Sequence, residues 1–456
     1  MDTTTLSHAL LTPPMPPMAD DSIGGFGVLK GIRRNAFEAF PARCWQEPVV
    51  RVNTPLNPVV IISSPEAIRH VMLDCHRDYV RMPVGRRVLG PIVGKGLLVS
   101  EGESWRNQRH AMAPAFTPQK VQALTGLIHE VAERACTEME SRRALPQDLF
   151  TFFQAVSLDI GASVMFSTDV SSIGAELRRL LTFYMTRIGS PSVSDFLLPS
   201  WMPTVLSARR AVFRHHWQRL LASTIAQRRA RARAPAHGNG TQDLFDLLEQ
   251  AHGERPDDLL ADEVSTMLVA GHETTALTLF WATVLLAHSP QIQSELAGEA
   301  AAFDWDARGT ALDLTKLPLT KAVIQETLRL YSPAFMTARL AARTHTVGGV
   351  QIPSGAMLLV PFWLLHRHPQ RWASPACFDP WRFLRGPQPG RFDYLPFGVG
   401  PRVCIGAQLA ISEAVIVLAR LLRDNRIAPM RDDIPLPVGK LSTRPSFLPE
   451  FVVSAR

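Results

Sequence analysis

The sequence predicts a mainly α fold with a smaller β-rich portion (α+β), and three observations lead there. Long patterns of helical period dominate from Trp105 to about Ser332. After Pro333 the stretch "TARLAARTHTVGGVQIPSGAMLLVPFWLLHRHP" alternates and is broken by Gly and Pro, which reads as short strands and turns. With 46% hydrophobic and 20% charged residues in 456, the chain is able to bury a sizeable core. The length admits two or three average domains or one large one, and no internal repeat is apparent. Residues 1–30 read as a flexible leader and 31–456 as a single domain.

The elements follow in order. "VVIISSPEAIRHVML" (Val59–Leu73) reads as a strand, a Ser-Pro helix start and an amphipathic helix. "PQKVQALTGLIHEVAERACTEMESR" and "FRHHWQRLLASTIAQRRARAR" are helical in period. "DDLLADEVSTMLVAGHETTALTLFWATVLLAHS" is very long, apolar on most faces and stopped at Pro290, so it is expected to cross the interior. The irregular segment "QRWASPACFDPWRFLRGPQPGRFDYLPFGVGPRV" follows the strands, and a last helix runs through "AQLAISEAVIVLARLLRD".

Composition excludes several classes. The net charge of +7 is spread along the chain. Its one dense basic patch, Gln227–Gly240, reads as a solvated helix end entering a loop. A basic face for an acidic protein partner is therefore expected, and no nucleic acid. Five cysteines (Cys44, Cys75, Cys136, Cys377, Cys404) are odd in number, widely spaced and without a CxxC pair. This argues against a disulfide framework or structural zinc and for a reducing compartment, the cytoplasm. The N-terminal stretch lacks a basic n-region and is interrupted by prolines, and "AMLLVPFWLL" (Ala356–Leu365) is too short to span a bilayer. A soluble protein with no membrane anchor is expected.

The stretch "YLPFGVGPRVCIGAQLA" (Tyr394–Ala410) sets one thiol between two glycines and a helical pattern. Near a helix N-terminus, backbone N–H groups and the positive dipole end favour a thiolate. Gly398 and Gly400 permit a tight turn, and Phe397 offers an apolar shield. A lone thiolate so placed suits a haem iron, although on these residues alone the commoner reading of Cys404 is a buried core cysteine. Phe397 to Gly406 matches every fixed position of F-x-x-G-x-[RH]-x-C-x-G, and here the chain resembles the cytochrome P-450 family, from roughly residue 45 to its end. The resemblance implies that family's fold, with a long central helix over haem b. It also implies Cys404 as the iron ligand, with Phe397, Gly398, Arg402 and Gly406 at the cofactor.

Three further motifs appear in that family's order. In "AGHETT" (Ala270–Thr275) a mid-helix glycine costs roughly 1 kcal/mol against alanine, so Gly271 calls for a reason. Small residues at Ala270 and Gly271 leave room for a flat cofactor and a diatomic ligand. Thr274 is able to bond back one turn or turn toward water, loosening the helix locally, and Glu273 beside it is able to relay protons. A zinc H-E-x-x-H reading fails because position 276 is Ala276. In "ETLR", Glu326 and Arg329 share a helix face. The resemblance implies that they are buried and joined by Arg382 of "FDPWRF", where the family usually has Glu in place of Trp381, as a structural network. In "WRNQR", Trp105 and Arg109 lie one turn apart. By resemblance these two, with Arg339 and Arg402, hold the haem carboxylates, although each arginine alone reads as a surface charge.

The resemblance also places Leu97 at the cofactor and Leu98, Met267, Ala270, Ala334, Phe335 and Met336 around an apolar substrate pocket. That lining favours a small hydrophobic substrate such as a fatty acyl, terpenoid or polycyclic compound. With 52 residues after Cys404 (456 minus 404) and no flavin or nicotinamide fingerprint, electrons derived from NAD(P)H are expected through a separate ferredoxin or flavodoxin with its reductase. The expected activity is a monooxygenase that uses O2 to hydroxylate a C–H bond, in a monomer. The alternatives are a peroxide-dependent or non-redox haem-thiolate enzyme and a non-catalytic haem-binding protein.

Overall fold

The computed structural model describes residues 10–54, 58–166, 171–189, 191–192, 194–195, 198–199, 201–232, 243–253, 257–306 and 311–456. The long apolar pattern forms one helix, Asp257–Ala287, whose side chains from Leu260 onward are nearly all buried. Helix Leu149–Phe166 packs along it, and helices Thr125–Glu140, Pro290–Ala302, Pro318–Leu330 and Ala407–Asp424 complete the layers around it. Together they enclose one large apolar cluster that includes Phe153, Leu277, Phe280, Trp281 and Ile416. By length and composition, Leu149–Phe166 is also apolar enough to cross a membrane; here its residues are mostly buried against the central helix.

The β-rich portion is as expected after Pro333, with contributions from the N-terminal third. One sheet has the order Val49–Val52, Val59–Ile62, Met357–Val360, Thr337–Ala341, Tyr79–Arg81. Val59–Ile62 and Met357–Val360 pair in parallel, and the other neighbours are antiparallel. The Ser-Pro signal is a genuine cap: Ser64 accepts from the Ala67 amide ahead of helix Pro65–Arg69. A C-terminal hairpin, Pro437–Gly439 with Thr443–Pro445, closes over the central helix through Trp281, whose indole donates to the Thr443 carbonyl.

Within the segment read as a leader, Ala19 pairs with Pro41, the Leu11 carbonyl accepts from Phe378, and Val28 of helix Gly25–Asn35 is fully buried. Of the basic patch, residues 233–240 lie outside the described residues. Arg228 pairs with Asp243 and Asp246, and Arg229 with Glu249 and Asp257, so these cations tie helix Ser207–Ala232 to its successors.

The ETLR pair is buried, as the resemblance implied. Arg329 donates to both Glu326 oxygens at 2.7 and 2.8 Å, and neither side chain is exposed. Its remaining donors reach the carbonyls of His366, Pro375 and Cys377. Arg382 adds a 3.0 Å bond to Glu326, and the Asp379 amide another at 2.9 Å. Glu326 and its arginine partner thus tie the helix to the irregular segment. Because removing one partner strands buried charge, Glu326→Ala is expected to destabilise the protein by about 3–5 kcal/mol in urea unfolding.

Glu413 is a second buried acid with a different setting. It lies in helix Ala407–Asp424 with Oε1 unpartnered among the described residues. Burial pushes its carboxyl up to about 8, against a smaller pull from Ser157. Between pH 4.5 and about 8 the folded chain therefore keeps a proton that the unfolded chain has released, so stability falls as pH rises through that window. Glu413→Gln is expected to flatten this slope, read from thermal unfolding across that range.

Candidate functional site

The Cys404 loop is built by short-range hydrogen bonds. The Gly398 amide donates to Leu395, the Val403 amide to Gly400 and the Cys404 amide to Phe397, at 2.9–3.1 Å. Gly398 and Gly400 have φ of +73° and +79°, which side-chain-bearing residues rarely adopt. A Cβ on Gly400 would also sit 2.1 Å from the Met72 carbonyl oxygen, so the loop packs where only glycine fits. Helix Ala407–Asp424 begins right after, with Gly406 as its N-cap. Cys404 lies deep in the fold, yet its side chain is exposed to open space. Burial pushes its thiol up, while the Gly406 amide and Arg109 pull it down by less. The backbone N–H at the helix start thus favours the thiolate, as expected, against the opposing effect of burial. A metal cation at the sulfur deprotonates a coordinating thiol.

The central helix offers a matching face. Its side chains are buried from Leu260 to Ala287 except at Met267, Ala270, Gly271 and Thr274. These recur at i, i+3, i+4 and i+7, one incompletely covered stripe on an otherwise buried helix. A Cβ added at Gly271 would meet no atom within 4 Å. Met267, Leu98, Trp105, Phe397 and Ile405 all border the same core cluster, and the loop from Leu97 to Ser100 joins both elements, its Leu97 amide donating to Glu263 of the helix and its Ser100 carbonyl accepting from Arg402 beside Cys404. The Thr274 hydroxyl donates to the Ala270 carbonyl at 2.7 Å. The helix runs as α throughout, so the expected local loosening at Thr274 is not seen.

Glu273 does not share that face. Successive helical positions do not face each other, and Glu273 is buried while Thr274 is half-exposed. One of its oxygens, Oε1, accepts from Ser442 at 2.9 Å and from Arg444 Nε and Nη2 at 2.9 and 2.5 Å.

The arginines converge as expected, with one addition that sequence reasoning missed. Arg402 donates to the Ser100 carbonyl and to Glu101, and its guanidinium lies 4.3 Å from the Trp105 ring centre. Arg81, at the end of its strand, stands directly opposite Arg339 in the sheet. Like charges in that register repel. Burial, Arg81 and Arg402 hold Arg339 down to about 10, and burial and Arg81 hold Arg402 down to about 10. Burial likewise lowers Arg109, against the pull of Cys404. Arg81, Arg339 and Arg402 share one neighbouring carboxylate, Glu101, which leaves a surplus of positive charge suited to further anions. The donor set therefore fits haem: one sulfur, a helix stripe with the small residues Ala270 and Gly271 uncovered, and cations for two carboxylates.

The loop between them is pinned to the central helix. The Lys95 amide donates to Asp262 and the Leu97 amide to Glu263, which sets Leu97 and Leu98 beside the stripe. Asp262 and Glu263 are also residues that sequence reasoning missed, since nothing local marks a carboxylate that caps a distant loop. Ala334 is exposed and Met336 half-buried. Phe335 is not in the pocket: it is buried, with its ring 4.8 Å from that of Phe37 in the cluster beneath the sheet. Met336 packs in part against the same cluster, while Ala334 lies at a bend and stays exposed.

The chain is similar to known proteins in sequence and in fold. The family model "Cytochrome P450" matches residues 22–448. Cyclooctat-9-en-7-ol 5-monooxygenase of Streptomyces melanosporofaciens is 31% identical over 80% of this chain and 79% of its own length. A cytokinin hydroxylase of Arabidopsis thaliana is 29% identical over 86% and 78%. The crystal structure of CYP175A1 from Thermus thermophilus superposes with a TM-score of 0.68 at 25% identity, covering 90% of this chain and 92% of that one. With a family match across nearly its full length, the chain belongs to the cytochrome P450 family of haem-thiolate monooxygenases.

Proposed function

We propose that this chain inserts one oxygen atom of O2 into a C–H bond of a small hydrophobic molecule, with electrons from a separate ferredoxin or flavodoxin. The observation that carries this reading is the incompletely covered stripe Met267–Ala270–Gly271–Thr274, joined through the Leu97–Ser100 loop to the exposed Cys404. Haem bound between them supplies the dioxygen-binding iron and accepts the electrons. In this reading Cys404 ligates the iron, with its sulfur held by the loop and by the Gly406 amide. Arg81, Arg109, Arg339 and Arg402, with Trp105, hold the propionates. Ala270 and Gly271 admit the macrocycle, and Leu98, Met267 and Ala334 present apolar surface to the substrate.

The overall reaction joins substrate, O2, two electrons and two protons to give the alcohol and water. The protons must arrive at the distal side while bulk water stays out. Thr274 faces that space and holds its proton on Ala270, ready to turn, and Glu273 is the buried acid one residue away. The relatives named as a monooxygenase and a hydroxylase support the reaction class. A cytoplasmic monomer completes the proposal.

Screening hydrophobic compounds for a low-spin to high-spin shift, followed by product analysis with a surrogate ferredoxin couple, tests the reading; oxidation of none of the shifting compounds would sink it. The reduced protein with carbon monoxide is expected to show the red-shifted Soret band of a thiolate-ligated haem, and Cys404→Ser to lose it. Thr274→Ala is expected to keep that band while hydroxylated product per NADPH falls at least about tenfold and hydrogen peroxide rises.

A further inference from the structure

The C-terminal hairpin holds Glu273 from outside the distal space, and it does so on one oxygen alone. Oε1 takes three donors, from the Ser442 hydroxyl and from Nε and Nη2 of Arg444. Oε2 is buried and has no hydrogen-bond partner among the described residues. A buried carboxylate oxygen with no donor is costly unless it is used. The clamp itself is rigidly mounted. The Thr443 amide donates to Pro333 and its hydroxyl to Ser332, while Trp281 of the central helix donates to the Thr443 carbonyl. The Gly439 amide is anchored on Asn35, and the Phe335 ring lies 3.0 Å from where a Cβ on Gly439 would be. Arg444 alone reaches partway to the surface, with 26% of its side chain exposed.

We propose that Arg444 and Ser442 are positioning residues for proton delivery: they lock Oε1 of Glu273 and leave Oε2 as the oxygen that takes up and passes on each proton. This rests on Glu273 acting as the relay acid. The clamp solves the problem set by the helix, on which Glu273 and Thr274 point in different directions. With Oε1 held, the carboxyl cannot rotate away, and Oε2 keeps one orientation relative to Thr274. No bond is made or broken by Arg444, which stays protonated throughout.

The test uses the haem-loaded protein with a surrogate ferredoxin and its reductase, oxidising NADPH without added substrate. Arg444→Met is expected to slow NADPH oxidation about tenfold and to enlarge its solvent deuterium isotope effect, as Glu273→Gln does. The double variant is expected to be no slower than Glu273→Gln alone, and Arg444→Lys to recover at least half the parent rate. In urea unfolding of the holoprotein, the double variant is expected to be no less stable than the weaker single variant. Glu273→Gln impaired with Arg444→Met unimpaired overturns the clamp. An unimpaired Glu273→Gln overturns the relay reading instead, and with it this proposal. If Arg444→Met loses the carbon monoxide band, Arg444→Gln is judged by the same outcomes.

Discussion

One helix that is buried along almost all of its length, yet leaves one stripe incompletely covered, governs the rest of the structure. Apolar burial drives Asp257–Ala287 through the core, and a close-packed interior does not leave such a stripe open without reason. At Ala270 and Gly271 no bulky side chain fills that stripe. The loop pinned by Asp262 and Glu263, the Cys404 loop and the arginines are all placed relative to it. Gly400 against the Met72 carbonyl fixes how closely the sulfur's loop sits on the neighbouring element, so tolerance on that side is small.

Electrostatics makes the same demand from the opposite side. Arg81 and Arg339 face each other across a sheet with Arg402 nearby, and Glu101 is itself half-exposed and able to offset only part of their charge. Burial alone already lowers each guanidinium's affinity for its proton. Burial likewise raises the Cys404 thiol, while the Gly406 amide and Arg109 pull it down. Cations in surplus and a soft sulfur donor are complementary to an anionic ring carrying a metal.

What could be read from the sequence was whatever is decided locally. The Cys404 loop closes through bonds within a few residues, so its glycine spacing is visible as a motif. The central helix shows in its period, and Glu326 with Arg329 lies within one turn. The misses all depend on partners far along the chain. Arg81 gains meaning only opposite Arg339, and Ser442 and Arg444 only over Glu273. Phe335 is the same case, since its ring lies against Phe37 from the N-terminal part of the chain, a contact that no local pattern records. The leader shows the same limit, since tertiary contacts at Leu11, Ala19 and Val28 leave no periodic trace.

The acid beside the threonine illustrates why a motif is incomplete without its tertiary surroundings. A sequence that places Glu273 next to Thr274 suggests two groups acting side by side, but a helix turns about 100° per residue and separates them. The alcohol then faces the distal space, and the acid faces the hairpin. An unrestrained carboxylate there would have rotational freedom and water to solvate it. Three donors on one oxygen remove that freedom and leave the other oxygen desolvated. The hairpin that supplies them is fastened to Ser332 and Pro333, so the orientation of the acid is set by a segment more than fifty residues further along the chain than Glu273 itself.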